Sequence, residues 1–286
     1  MVKPLQGLSC RILLVEDEPM IQAVGKAMLE HCDCRVDVVA NGRQAVEAFS
    51  RQRYDVIFMD CQMPEMNGFE ATGLIREMEA GNRVGGAAGR IPIVALTGYT
   101  GEEERERCLA AGMDDYLGKP FTMSGIRAIL ERWVDRRDAV SAEGKGNEGS
   151  QGVDADRSTQ EGAGRQEEPS VIDEKTLKMI ASLAPLGSEG LLKSVIGLYL
   201  DSSVTLMAGI REAIKAKDTA ALHRAAHTLK SSSANLGAVT FAGICKELEM
   251  MGRNNAVEEA GALQAVLIWE YQRVREALER RANRIP

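Results

Sequence analysis

Between residues 11 and 136 a short apolar run gives way to a longer amphipathic one, and this happens five times. The apolar runs lie at 12–15, 36–39, 56–59 and 91–96, with a weaker fifth at 115–117. They are built from Val, Ile, Leu, Phe and Met and lack the polar alternation of a half-exposed strand. They therefore read as strands buried on both faces. The stretches between and after them, 20–30, 43–51, 68–79, 102–111 and 123–137, read as helices. Such alternation predicts a doubly wound α/β unit: a five-stranded parallel sheet with helices on both faces and right-handed crossovers.

Past residue 138 the texture changes. Residues 138–170 are rich in Gly, Ser, Glu and Gln and nearly devoid of large apolar side chains. Such a segment buries too little surface to offset its ordering entropy. It reads as a flexible linker with a span of roughly 30 Å, from ~5–6 Å times the square root of its length. From 171 to 284 no strand pattern returns. Asp173 and Asp218 are N-cap residues by type, Gly237 marks a helix end, and one long helix is expected from Gly190 to Ala216. A further helix is expected over 241–251 and a last one over 257–281. One apolar stripe per helix and short connections predict an all-α antiparallel bundle. The expected organisation is a first domain at 10–137, a linker at 138–170 and a bundle at 171–284.

A net charge of −7 excludes a strongly basic nucleic-acid surface, and no nucleic-acid partner is expected. No apolar run approaches the ~20 residues that span a bilayer, and the first residues lack the apolar core of a secretory signal. A cytoplasmic protein with no membrane segment is the expectation. The six cysteines form no paired zinc pattern. Neither a P-loop nor a Gly-rich nucleotide box is present.

The chemistry gathers at strand ends, where open parallel sheets bind ligands. Glu16 and Asp17 follow the first strand, Asp60 ends the third, Thr97 ends the fourth, and Lys119 follows the fifth. Any one of these alone would be a turn residue, a cap or a solvated lysine. Together they would form one rim. A carboxylate can accept a phosphoryl group, but three clustered acids repel each other and any phosphate. A hard divalent cation such as Mg²⁺ answers both problems. Lys119 supplies a second positive charge, and the Thr97 hydroxyl can donate to a phosphoryl oxygen.

A second acceptor lies in the helical region. Leu222, Ala226, Leu229, Ser233 and Leu236 recur at steps of three and four and form a buried stripe. His223, His227, Lys230, Ser231 and Ala234 fall on the neighbouring face. His227 is expected to be exposed, with Lys230 one turn on and within reach of a phosphoryl oxygen. A metal site on His223 and His227 lacks the Glu of helical zinc motifs and an evident third ligand.

The first region resembles the receiver domain of two-component response regulators, which is flavodoxin-like. The likeness is carried by Val15-Glu16-Asp17, Met59-Asp60-Cys61-Gln62-Met63-Pro64, Met66-Asn67-Gly68, Ala95-Leu96-Thr97 and Lys119-Pro120. It implies that Asp60 is phosphorylated and that Glu16, Asp17, Asp60 and the backbone carbonyl of Gln62 hold Mg²⁺. It further implies that Thr97 and Lys119 contact the phosphoryl group and that Thr97 and Tyr116 form the switch. Gly98 leaves the site uncrowded, with an expected effect on phosphate lifetime. The segment from Ala226 to Ala238, His-Thr-Leu-Lys-Ser-Ser-Ser at its heart, resembles the phosphorylated helix of histidine phosphotransfer (HPt) domains. That likeness implies that His227 carries phosphate and that Lys230 steadies it. Many members have Gly where this chain has Ser231. A polar partner for the imidazole is expected on the following helix, with Lys246 and Glu249 both eligible.

The order receiver, linker, HPt resembles the C-terminal part of a hybrid sensor histidine kinase. The expected function is a phosphorelay. Asp60 would accept a phosphoryl group from an upstream histidine kinase, and His227 would take it on toward a downstream response-regulator receiver. The alternative is a phosphorylation-controlled binding module in which His227 carries no phosphate. A metal-dependent hydrolase with Asp60 as nucleophile lacks a specificity cap.

Overall fold

Each apolar run becomes a strand. The computed structural model describes residues 10–81, 90–98, 101–134, 171–183 and 190–285. Strands β1 (Arg11–Val15), β2 (Arg35–Val39), β3 (Val56–Asp60), β4 (Ile93–Thr97) and β5 (Asp115–Gly118) form one parallel sheet in the order β2-β1-β3-β4-β5. Burial on both faces holds for the inner strands β1, β3 and β4; the edges β2 and β5 are only half-buried. The ladder of β4 starts at Ile93 rather than 91 because Pro92 has no N–H to donate; its carbonyl accepts from Ile57 N at 2.9 Å.

Helices α1 (Pro19–Glu30), α2 (Gly42–Arg51), α3 (Gly68–Ala80), α4 (Glu102–Ala110) and α5 (Met123–Trp133) flank the sheet. Side-chain caps fix three of their starts: the Asn41 carbonyl accepts from Gln44 N at 2.9 Å, the Thr122 hydroxyl from Gly125 N at 3.1 Å, and Asn67 with Glu70 makes a reciprocal capping box. The start of α3 is pressed against the end of β3. A Cβ on Gly68 would sit 2.1 Å from the backbone oxygen of Asp60. Backbone cannot swing aside as a side chain can, so Gly68→Ala is expected to destabilise the chain by about 1–3 kcal/mol. A urea titration against the parent chain checks this, and an unchanged midpoint would refute it.

The helical region contains α6 (Glu174–Ser182), α7 (Gly190–Ala216), α8 (Thr219–Asn235), α9 (Val239–Arg253) and α10 (Gln264–Asn283). Asp173 and Asp218 cap α6 and α8 as their residue types foretell. Gly237, at φ +81°, ends α8 in the left-handed conformation that glycine adopts without penalty. The last helix starts later than 257. Val257 and Ala260, both buried and three residues apart, enter the core around a 3-10 turn (Glu259–Leu263) that precedes α10. Buried polar groups are matched inside the bundle: the Tyr199 and Ser233 hydroxyls lie 3.0 Å apart, as do those of Ser203 and Tyr271.

Among the described residues one helix, α7, is long and apolar enough to cross a bilayer by length and composition. Here it is the pillar of the bundle, with Leu192, Val195, Ile196 and Tyr199 in the core. The sheet unit and the bundle touch. Helix α1 lies against α7 and reaches α8, and the apolar core on the α1 side of the sheet runs on into the core of the bundle. The expected linker at 138–170 and the expected end of α5 beyond 134 fall outside the described residues.

Candidate functional site

The strand order reverses between β1 and β3, which opens a crevice at their carboxyl ends. Glu16, Asp17 and Asp60 converge there, each offering a carboxylate oxygen within 4.8 Å of the others. Lys119 reaches in from the end of β5, its Nζ 2.6 Å from Glu16 Oε2 and 2.7 Å from Asp60 Oδ2. The backbone N–H of Gln62 donates to Asp60 Oδ1 at 3.1 Å. Glu16, Asp60 and the Lys119 side chain are all nearly sealed from solvent.

One cation against three carboxylates leaves an excess of negative charge in a low-dielectric place. Burial pushes the Glu16 carboxyl well above its ordinary value, with Asp60 adding and Lys119 opposing. Burial, then the charge of Asp60, raises Asp17 to about 6 against the pull of Lys119. Burial alone would lower the Lys119 ammonium, but Asp60 and Glu16 outweigh it and hold it above an ordinary lysine. Oxygen donors this close suit a small hard cation, whose octahedral shell at ~2.1 Å sets ligand oxygens about 3–4 Å apart. Thr97 ends β4, buried, and its carbonyl accepts from Lys119 N at 2.7 Å. Tyr116 of β5 pairs with Ala95, two residues before Thr97, with 41% of its surface exposed.

On α8 the buried stripe is Leu222, Ala226, Leu229, Ser233 and Leu236, as the spacing predicts. The neighbouring face differs from expectation. His227 is only 6% exposed, and Lys230 and Ser231 are buried with it. Two features cover them. Beneath the ring, Glu249 of α9 takes His227 Nδ1 through Oε1 and Lys230 Nζ through Oε2, the latter at 2.6 Å. Above it lies the rim of the sheet unit: a Cβ on Gly98 would sit 2.9 Å from Lys230 Nζ and 3.2 Å from His227 Cε1. The face is off the bundle core, as its phase requires, but the first domain is seated on it.

Glu249 is therefore the imidazole's partner, and Lys246 points to solvent. Burial pushes the Glu249 carboxyl up, but the hydrogen bond and charge of His227, joined by Lys230, outweigh it and hold it at about 2. His223 stacks on His227 with ring centroids 6.2 Å apart. Its imidazolium is disfavoured mainly by burial, against the pull of Glu249. A residue that the sequence reading missed is Glu18, buried between α1 and α7 and raised by burial while the Ser202 hydroxyl opposes. Gly98, a neighbour of the acid site by its place after Thr97, also faces α8.

Comparison with known proteins identifies each of the two units. The family model described as the response regulator receiver domain matches residues 12–131, and that of the Hpt domain matches residues 194–283. The sensor protein GacS of Pseudomonas syringae pv. syringae is 29% identical over 264 residues, covering 91% of this chain and 26% of that protein. Probable histidine kinase 1 of Oryza sativa subsp. indica is 36% identical over 148 residues, covering 43% of this chain and 15% of that protein. The chain thus spans about a quarter or less of these relatives' length. Among solved structures, the receiver domain of the sensor histidine kinase PA1611 from Pseudomonas aeruginosa PAO1, with a magnesium ion coordinated in its active site cleft, is 48% identical. That match covers 44% of this chain and 98% of the other, with a TM-score of 0.39. Residues 12–131 are a response regulator receiver domain and residues 194–283 an Hpt domain, so the chain belongs to the two-component phosphorelay proteins.

Proposed function

We propose that Asp60 accepts a phosphoryl group from an upstream histidine kinase and that His227 carries it on toward a downstream receiver. What supports this most is the seam at Gly98, where the imidazole and its lysine meet the rim of the acid cluster within one chain. In the first step an Asp60 oxygen attacks phosphorus and the donor's N–P bond breaks, leaving an acyl phosphate. In the second, the Nε2 lone pair of His227 attacks phosphorus, and the Asp60 carboxylate leaves with the electrons of the broken O–P bond. Nδ1 keeps its proton, donated to Glu249, whose negative charge offsets the imidazolium that forms. Lys119 balances charge on the Asp60 side, and Lys230 steadies the oxygens on the His227 side.

Glu16, Asp17, Asp60 and the Gln62 carbonyl would hold Mg²⁺, which supplies charge neutralisation for the transferring group. Thr97 contacts the phosphoryl group and, with Tyr116, carries the switch. Residues 10–137 act as receiver and 171–284 as HPt unit. Residues 138–170 are the tether, which keeps the internal encounter at about millimolar effective concentration. The setting we infer is cytoplasmic.

The test uses a radiolabelled phosphohistidine donor with the parent chain, Asp60→Asn and His227→Gln. The parent chain is expected to carry both acyl-phosphate label and acid-labile, base-stable label. Asp60→Asn should carry neither, and His227→Gln only the first. Acid-labile, base-stable label persisting in His227→Gln would refute the second transfer. Unreduced acyl-phosphate label in Asp60→Asn would refute the first.

A further inference from the structure

Gly98 follows Thr97 on the rim, and its own backbone gives no reason for glycine. Its φ lies outside the left-handed region, unlike those of Gly112 and Gly237, so an alanine would fit the local conformation. The reason for a missing side chain is found across the seam. The three atoms nearest to a Cβ at this position all belong to the HPt unit: Lys230 Nζ at 2.9 Å, His227 Cε1 at 3.2 Å and Lys230 Cε at 3.5 Å. None of the three belongs to the receiver. Among the described residues, the close contacts that a methyl group would meet here lie across the seam, and they are felt when the two units dock.

The HPt side has little freedom to yield. Lys230 could swing its ammonium away only by stretching the 2.6 Å pair with the buried Glu249. The His227 ring is held at Nδ1 by the same carboxylate and flanked by the His223 ring. Its helix is anchored on either side by the fully buried Ala226 and Leu229. The rim is equally fixed, since Thr97 pairs with Gly118 in the sheet and its carbonyl holds Lys119 N at 2.7 Å. The remaining way to admit a Cβ is to draw the two units apart.

We propose that Gly98 is a positioning residue for the internal transfer, its bare backbone setting how closely His227 approaches the phosphorylated Asp60. This rests on the relay reading above. Group transfer is steep in distance, about 100-fold for 1 Å of misplacement. A retreat of about half an ångström, enough to turn the 2.9 Å approach into ordinary contact, predicts a loss of about 10-fold for Gly98→Ala, and the bulkier Gly98→Val about 100-fold or more. The residue touches no reacting atom in this account; it acts by letting His227 come close.

The experiment uses full-length chains. A His227→Gln chain, with and without Gly98→Ala, is labelled at Asp60 with radioactive acetyl phosphate and Mg²⁺, and its acyl-phosphate label and lifetime are measured. Each labelled chain then donates to a titrated Asp60→Asn acceptor chain. The expected result is equal Asp60 labelling and equal lifetime, with a saturated transfer rate about 10-fold lower for the Gly98→Ala donor and a half-saturating concentration shifted less. Internal transfer in chains with His227 intact should slow in parallel. Equal saturated rates for the two donors would overturn the proposal while leaving the relay reading intact. A fall in Asp60 labelling matching the fall in transfer would also overturn it, since that marks damage to the receiver itself. A changed acyl-phosphate lifetime with unchanged transfer would reassign Gly98 to water access. If the parent chain places no label on His227, the relay reading and this assignment fall together.

Discussion

Glu249→Ala is expected to remove about 3–5 kcal/mol of stability at pH 7, because it strands a charge that was paired in the interior. Glu249 is fully buried and serves both His227 Nδ1 and Lys230 Nζ. Without it the Lys230 ammonium is left buried with its carboxylate gone, and the imidazole loses the acceptor that sets its orientation. Phosphotransfer to His227 should fall with stability. The pH dependence has a definite sign. The folded carboxyl is held at about 2, below its ordinary value of 4.5. Its contribution is therefore complete above about 4.5 and is lost as pH falls toward 2. Urea titrations of the parent chain and the variant should differ most at pH 7 and converge on acidification. Identical midpoints at pH 7 would show that the carboxylate contributes nothing net.

Asp17→Asn should act in the opposite direction. Asp17 sits beside Asp60 in a partly buried crevice, and its carboxyl is raised from 3.8 to about 6. A raised carboxyl means the folded state loses stability as pH climbs through 3.8 toward 6, where the unfolded chain ionises first. Asparagine removes that penalty, so the metal-free variant should be more stable than the parent by about 1–3 kcal/mol at pH 7. The gain should vanish below about 3.8. Added Mg²⁺ should raise the melting temperature of the parent chain more than that of the variant, since a ligand stabilises the state that binds it. Thermal melts at pH 7 and pH 3.5, with and without the metal, test all of this. A variant less stable than the parent at pH 7 would sink the account. The crevice is thus a place where the fold tolerates repulsion in return for a binding site.

Much of this was legible in the sequence because it is local. The inner strands announced themselves as uninterrupted apolar runs, and the acids fell at their ends because a parallel sheet puts every strand terminus on one rim. Asp173 and Asp218 were readable as caps from residue type alone. The partner of His227 was half-legible. Glu249 follows Ala242 and Cys245 on the buried face of α9, so an acid on that stripe needed a buried cation or imidazole, whereas Lys246 is out of phase. The late start of α10 was hidden because Val257 and Ala260 suit either an α-helical or a 3-10 spacing. The covering of His227 was not legible at all. Helix periodicity says which way a side chain faces within its own bundle and says nothing of a second unit laid over it. That contact joins residues more than a hundred positions apart, and its one trace in the sequence is a glycine after Thr97.

A ring with support beneath it and a rim above it can receive one visitor at a time. While α1 leans on α7, an outside acceptor must compete with the seated rim for the same landing place. On the relay reading, the tempo of onward transfer would follow how often the two halves of this molecule let go of each other, as well as chemistry at phosphorus.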